Sequence, residues 1–209
     1  MTSFDHLVSS RRMVRAFRSD PIDRDVLTRL VDLAARSPSA GNSQGWELVV
    51  LEGARTETFW SATMTPDTRA TFRWQHLFAA PVVALSFANP RAYLDRYSET
   101  DKLRSGLGSS VDAWPAPYWT IDASFATMTL LLAAHDAGLG ALFFGVFHGE
   151  DELRNALHVP ADRILLGAVA LGYERVPGES EHADPSFGVG RSARRKRAAA
   201  HDIIHFGDW

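Results

Sequence analysis

The chain has no cysteine. That excludes disulfides, thiolate metal sites, iron–sulfur clusters and dithiol redox chemistry, so any redox role must come from a bound cofactor. It also lacks a large excess of one charge. Its 22 Lys and Arg against 25 Asp and Glu leave a net charge of −3, so the molecule as a whole does not attract nucleic acid. A long hydrophobic run is missing too. The most apolar stretch, Phe125 to Leu142, is interrupted by His135 and Asp136 and preceded by Asp122. It falls short of the ~20 apolar residues that span a bilayer, and reads as a buried core helix. The start, Met1-Thr2-Ser3-Phe4-Asp5-His6, has neither the cationic opening nor the apolar run of a secretory signal. A cytoplasmic protein without a membrane partner is expected.

Several chemical signatures are absent as well. Gly106-Leu107-Gly108-Ser109-Ser110-Val111 lacks the third glycine of a dinucleotide fingerprint. There is no phosphate loop ending in Gly-Lys-Ser/Thr and no Gly-x-Ser-x-Gly elbow. His201 and His205 have the i,i+4 spacing of helical metal ligands, but without an acidic third ligand chance is the better reading, and no metal is expected.

What is there suits one globular domain: 209 residues, 45% hydrophobic and 22% charged. Asp23 can cap a helix running to about Arg36, stopped by Pro38. Leu48–Leu51 and Val82–Phe87 read as buried strands. Residues 88–118, with Pro90, Gly106, Gly108, Pro115 and Pro117, read as the least regular part and as a lid or insertion. A long helix is expected from Asp122 to Ala137, ended by Gly138 and Gly140. A strand over Ala141–Phe147, a short helix over Gly149–Leu157 and a strand over Ile164–Tyr173 follow. The fold class is α+β. The tail, 177–209, turns polar, then basic, then apolar at Ile203, Ile204, Phe206 and Trp209.

Three stretches carry chemistry. Arg11, Arg12 and Arg15 cluster near the start, and arginine's planar fork suits phosphate oxygens. By itself this is a solvated charged face. A second cluster, Arg194, Arg195, Lys196 and Arg197, makes convergence on one anion the better reading. The tail run also admits a nucleic-acid reading, but no aromatics are interleaved with its cations and no recognition-helix or zinc pattern accompanies it. Between the clusters lies Ser37-Pro38-Ser39-Ala40-Gly41-Asn42-Ser43-Gln44-Gly45-Trp46. Ser39, Asn42 and Gln44 offer neutral donors and acceptors, and Gly41 lets the backbone come close to a ligand. A heteroaromatic ring edged with carbonyls and nitrogens would suit that loop. Trp114, Tyr118 and Trp119 read equally well as core or as pocket lining.

Order and spacing of these stretches resemble the nitroreductase family. Ser10–Phe17 resembles its Arg-Arg-Ser-x-Arg-x-Phe segment, and Ser37–Trp46 its Pro-Ser-x-x-Asn-x-Gln-Pro-Trp loop. Gly138–Gly145 resembles its Gly-Leu-Gly segment and following strand, and Arg195–His205 its basic C-terminal segment. The resemblance implies a mostly antiparallel sheet flanked by helices, and a homodimer with exchanged C-terminal arms and two FMN sites. The alternative for the tail is folding back on its own core. Arg11, Arg12, Met13 and Arg15 would hold the phosphate, joined by Arg194, Arg195 and Arg197. Pro38, Ser39, Ala40, Asn42 and Gln44 would meet the ring and ribityl chain from the other subunit, and Phe143, Phe144 and Gly145 would run beside the isoalloxazine. No catalytic acid or base is implied, because in this family the flavin carries the chemistry. Three positions depart from the pattern. Met13 replaces a small hydroxyl residue, Gly45 a proline, and Ala199 a proline after the last basic residues. The implied activity is NAD(P)H-dependent reduction of a nitroaromatic, a quinone or a similar small oxidant by a ping-pong mechanism. A dehalogenating or flavin-fragmenting enzyme of the same fold is one rival. A non-enzymatic flavin- or nucleic-acid-binding dimer is the other.

Overall fold

A computed structural model of the chain describes residues 3–181, 184–187 and 194–209. Local chemistry explains most element starts. Helix α1 (Phe4–Ser10) begins where the Ser3 hydroxyl accepts from the His6 N–H at 3.3 Å. Helix α2 (Arg24–Ala34) begins at Asp23, whose carboxylate accepts from the Asp25 N–H at 2.8 Å. After strand β1 (Trp46–Glu52) come two helices that periodicity did not signal, α3 (Thr56–Thr63) and α4 (Pro66–Ala70). Strand β2 (Val82–Ala88) leads into α5 (Pro90–Tyr97). Then come α6 (Tyr118–Asp136), β3 (Gly140–Phe144), α7 (Glu150–Leu157) and β4 (Ile164–Gly172). Helix α6 ends in a Schellman motif: Gly138 sits at φ 76°, the Leu139 N–H reaches the Ala134 carbonyl, and the Gly138 N–H reaches that of His135.

The four strands form one antiparallel sheet in the order β1-β2-β4-β3. Strand β2 is central and wholly buried, which explains its apolar run, broken only at Ser86, whose hydroxyl bonds Trp46 and Thr127. Its residues alternate between two cores. Val82 and Ala84 face Leu30 and Ala34 of α2 and Leu130 and Ala134 of α6. Val83, Leu85 and Phe87 face Phe59 and Trp60 of α3 and Leu153 of α7. Ahead of α2, the chain joins the sheet edge through a parallel bridge from Met13 to Ala141, and Phe17 bridges Glu174.

Three expectations are corrected. Strand β3 ends at Phe144, not Phe147, because β4 bulges near Gly167 and offers β3 no partner beyond Ala168. Helix α6 starts four residues before Asp122. Residues 88–118 are less irregular than read, because Asn89 caps α5 and Pro90 occupies its first turn, where proline starts a helix. Trp114 and Trp119 are core, both packed on Tyr93, whereas Tyr118 is partly exposed. Among the described residues, no helix is long and apolar enough to cross a membrane, and no His/Asp/Glu cluster could hold a metal. His205 stacks on Trp209 instead.

Candidate functional site

The polar loop after α2 has a closely constrained backbone. A short 3-10 turn over Ala40–Asn42 places Gly41 at φ 61°, Asn42 at φ 57°, and two residues later Gln44 at φ 52°. Left-handed conformations cost non-glycine residues of order 1–3 kcal/mol each, and persist only where surroundings impose them. Here the surroundings are explicit. The Ser39 hydroxyl accepts from the Gln44 N–H at 3.0 Å. The Ala40 N–H donates to Asp122 of α6 at 2.8 Å, and the Arg96 Nε donates to the Gly41 carbonyl at 2.8 Å. At the loop's end, Trp46 Nε1 donates to Ser86, which is bonded to the buried Thr127 hydroxyl at 2.8 Å. At its start, Ser37 bonds Thr129 at 2.8 Å. The side chains of Asn42 and Gln44 stay exposed on this rigid frame. Behind the loop lies a cavity of about 170 Å³, lined by Pro38, Ser39, Gln44, Tyr93 and Asp122.

Asp122 is 8% exposed. It also accepts from the Tyr93 hydroxyl at 2.8 Å. Burial first, and then the bond to Asp122, push the Tyr93 phenol well above its ordinary value, so it stays protonated.

The basic segment is built differently. Arg11 and Arg12 line a cleft of about 240 Å³ with His135, Gly138–Ala141 and Glu174. Arg12 is committed to Glu174 through two hydrogen bonds, at 2.8 and 2.7 Å. Arg15 lies over the Trp74 ring at 5.0 Å and donates to the Met13 carbonyl at 3.2 Å. Partial burial lowers its affinity for its proton from the usual arginine value. The Met13 side chain packs on both cores, so a ligand here would meet its backbone.

Phe143 and Phe144 point to opposite faces of β3. Phe143 packs with the α2–α6 core, and Phe144 stacks parallel to Trp60 at 6.0 Å. Gly145 lies against the Phe147 ring. The tail cations Arg194, Arg195 and Arg197 are exposed, while Arg191 of the same run lies outside the described residues. The tail's end does not fold back on the chain's own core: Phe206 is 88% and Trp209 101% exposed.

Sequence reasoning brought the loop and the basic segments forward but missed Tyr93, Arg96 and the role of Asp122. One signal was available. A carboxylate inside a helix that is apolar on nearly every side needs a buried partner.

The donor set fits a flavin mononucleotide. Exposed amides on the loop suit a ring edge, and Arg11 and Arg12, lining one cleft, suit a phosphate. A model of the nitroreductase family matches residues 8–173. A protein of Archaeoglobus fulgidus, provisionally named NADH dehydrogenase/NAD(P)H nitroreductase, is 27% identical over 91% of this chain and 96% of its own. The 5,6-dimethylbenzimidazole synthase of Rhodospirillum rubrum is 30% identical over 88% of this chain and 85% of its own. Among solved structures, a nitroreductase family protein from Streptococcus pneumoniae superposes with a TM-score of 0.71 at 17% identity, covering 97% of this chain and 99% of that one.

Proposed function

Since the chain belongs to the nitroreductase family, we propose that it is a cytoplasmic FMN-dependent oxidoreductase, a single flavin-binding domain that uses NAD(P)H to reduce nitroaromatics, quinones or similar small oxidants. When bound, FMN supplies the two-electron redox chemistry between reductant and oxidant. The protein's own work is to bind, orient and exclude water. The observation that carries this reading is the braced loop, which holds Asn42 and Gln44 exposed at left-handed backbone positions. In this reading Ser39, Ala40, Asn42 and Gln44 address the ring and ribityl chain. Arg11, Arg15, Arg194, Arg195 and Arg197 neutralise the phosphate. Arg12 contributes less, since Glu174 already holds it. Phe143, Phe144 and Gly145 supply the neighbouring strand through their backbone.

We also infer a homodimer. Two apolar surfaces lie bare on one chain. Tyr118, Ile121, Phe125 and Met128 form a stripe on α6, continuous through Phe125 and Met128 with Leu33 and Pro38. Ile203, Ile204, Phe206 and Trp209 end the tail. A second copy of the chain would cover both and bring its loop toward the basic segments.

Anaerobic mixing with NADH or NADPH tests the activity. Flavin bleaching, then recovery on adding a nitroaromatic, is the expected result. The 30% identity to a 5,6-dimethylbenzimidazole synthase supports a second reading. Assay for 5,6-dimethylbenzimidazole in parallel incubations with FMN and NAD(P)H in air, where dioxygen supplies the oxidant for ring fragmentation, distinguishes it, and its formation without nitroaromatic turnover would replace the first reading.

A further inference from the structure

Gly45 stands where the family motif has proline, and its own φ is not left-handed, so conformational freedom does not explain the glycine. Space does. A Cβ at Gly45 would lie 2.6 Å from the Tyr93 ring and 2.8 Å from the Asn89 carbonyl. Tyr93 fills the room that a larger residue would need. Its hydroxyl reaches past the loop to Asp122, the carboxylate that also takes the Ala40 N–H. One turn on along α5, Arg96 takes the Gly41 carbonyl. A Cβ at Gly41 would in turn strike the Tyr97 ring at 2.8 Å. Arg96 is itself held by Asp101 through two bonds of 2.8 Å and by Glu99 at 3.0 Å. Three side chains of α5 thus engage a loop that lies before it in sequence, and α6 supplies the shared carboxylate.

We propose that Tyr93, Arg96 and Asp122 are positioning residues, a hydrogen-bonded clamp that fixes the Ala40–Gln44 backbone in its flavin-receiving shape and does the stiffening that proline at position 45 would otherwise do. The proposal rests on the flavin-binding reading above. Residues 88–118 are then a buttress to the site, not a lid over it. Asp122 itself is assigned no flavin contact; it acts through the Ala40 N–H that it holds. A buried carboxylate that loses a partner cannot turn to water, so each member of the clamp depends on the others.

The test uses the full chain freed of flavin, with amide hydrogen exchange read over residues 40–46. Variants are Asp122→Ala, Asp122→Asn, Tyr93→Phe and, as a control for general destabilisation, Leu130→Ala. Leu130 is also buried on α6 but packs in the α2–α6 core, not with Tyr93. Exchange of the loop amides is expected to rise roughly tenfold or more in Tyr93→Phe, which loses one charge-assisted bond, and further in Asp122→Ala, which loses two. Leu130→Ala should lower Tm without that local rise. FMN titrated into the same proteins should bind roughly tenfold to a hundredfold more weakly in Asp122→Ala, with partial recovery in Asp122→Asn, which keeps an oxygen for the Ala40 N–H. If Asp122→Ala does not fold, Tyr93→Phe, which keeps the ring, decides the matter. Unchanged loop exchange in Tyr93→Phe, or an equal rise in Leu130→Ala, would overturn the clamp. A wild-type protein that binds no FMN would overturn the flavin reading, while the exchange pattern still decides whether the clamp exists.

Discussion

The loop at 38–46 and the tail at 194–209 both carry motifs of one family, yet they are built in opposite ways. The loop is fastened within its own chain at Ser37, Ala40, Gly41 and Trp46. It holds three left-handed residues because α5 and α6 leave it no alternative. The tail has charge and apolar surface but little to lean on, and Trp209 is fully exposed. An element that supports itself can be prebuilt before its ligand arrives, and pays less ordering entropy on binding. An element with four bare apolar side chains waits for another surface. In the proposed account, one part of the flavin site is complete in the monomer and the other is completed by assembly.

Deleting residues 199–209 breaks that contrast most severely. Each of Ile203, Ile204, Phe206 and Trp209, once buried, is worth about 1.5–3 kcal/mol, so losing four removes a large part of an interface. Dimer and flavin should be lost together, although Arg195 and Arg197 remain. Light scattering and flavin absorbance on one sample measure both, and a truncated protein that stays dimeric and fully loaded would show that the tail does neither job.

Next in size are the cations. Arg11→Ala and Arg195→Ala should each weaken FMN binding by about 1.5–3 kcal/mol, the worth of one charge-assisted contact. Arg12→Ala should cost less, because Glu174 already uses both arms of its fork. Arg91→Ala, where the arginine pairs with exposed Asp95, is the control. Equal affinity across the four variants would remove the phosphate assignment.

A smaller effect sharpens the loop side. Gly45→Ala drives a Cβ into the Tyr93 ring. Overpacking of this kind costs about 1–3 kcal/mol. The Tm of Gly45→Ala should fall, and the part of the loss due to the ring should disappear in a Tyr93→Ala background, the clash with the Asn89 carbonyl remaining. Additive losses would mean that the two residues do not compete for space.

The smallest effect is a pH dependence. Folding raises the Tyr93 phenol above its ordinary value, so the folded state holds that proton more tightly than the unfolded one. The Tyr93 contribution is therefore fully present below about pH 10, the unfolded value, and is lost as pH rises beyond it. Thermal melts at alkaline pH should show the decline in wild type and a shallower one in Tyr93→Phe. Identical slopes would show that the phenol titrates freely.

The sequence made the sheet legible wherever burial is strong and regular. Val82–Phe87 is apolar save Ser86 because both faces of β2 are covered, and Asp23 marks the start of α2 by its capping chemistry. It was less informative where proline does two jobs. Pro90 read as a breaker but starts α5. Nor could it show that Met13 turns into the core while its neighbours face the cleft, since that depends on the bridge to Ala141. In the site, residue types named the loop and the arginines. The clamp was hidden because Tyr93, Arg96 and Asp122 lie up to 29 positions apart and converge only where α5 and α6 reach the loop. Gly45, read as a departure from a motif, proved to be the visible trace of that packing.

The account's central claim is that this site holds one FMN. The most direct measurement is the visible spectrum of the purified protein, followed by heat release of the chromophore and its identification by mass. The account predicts flavin absorbance and a released species with the mass of FMN. Release of FAD, or a colourless protein that added FMN does not reconstitute, would contradict it.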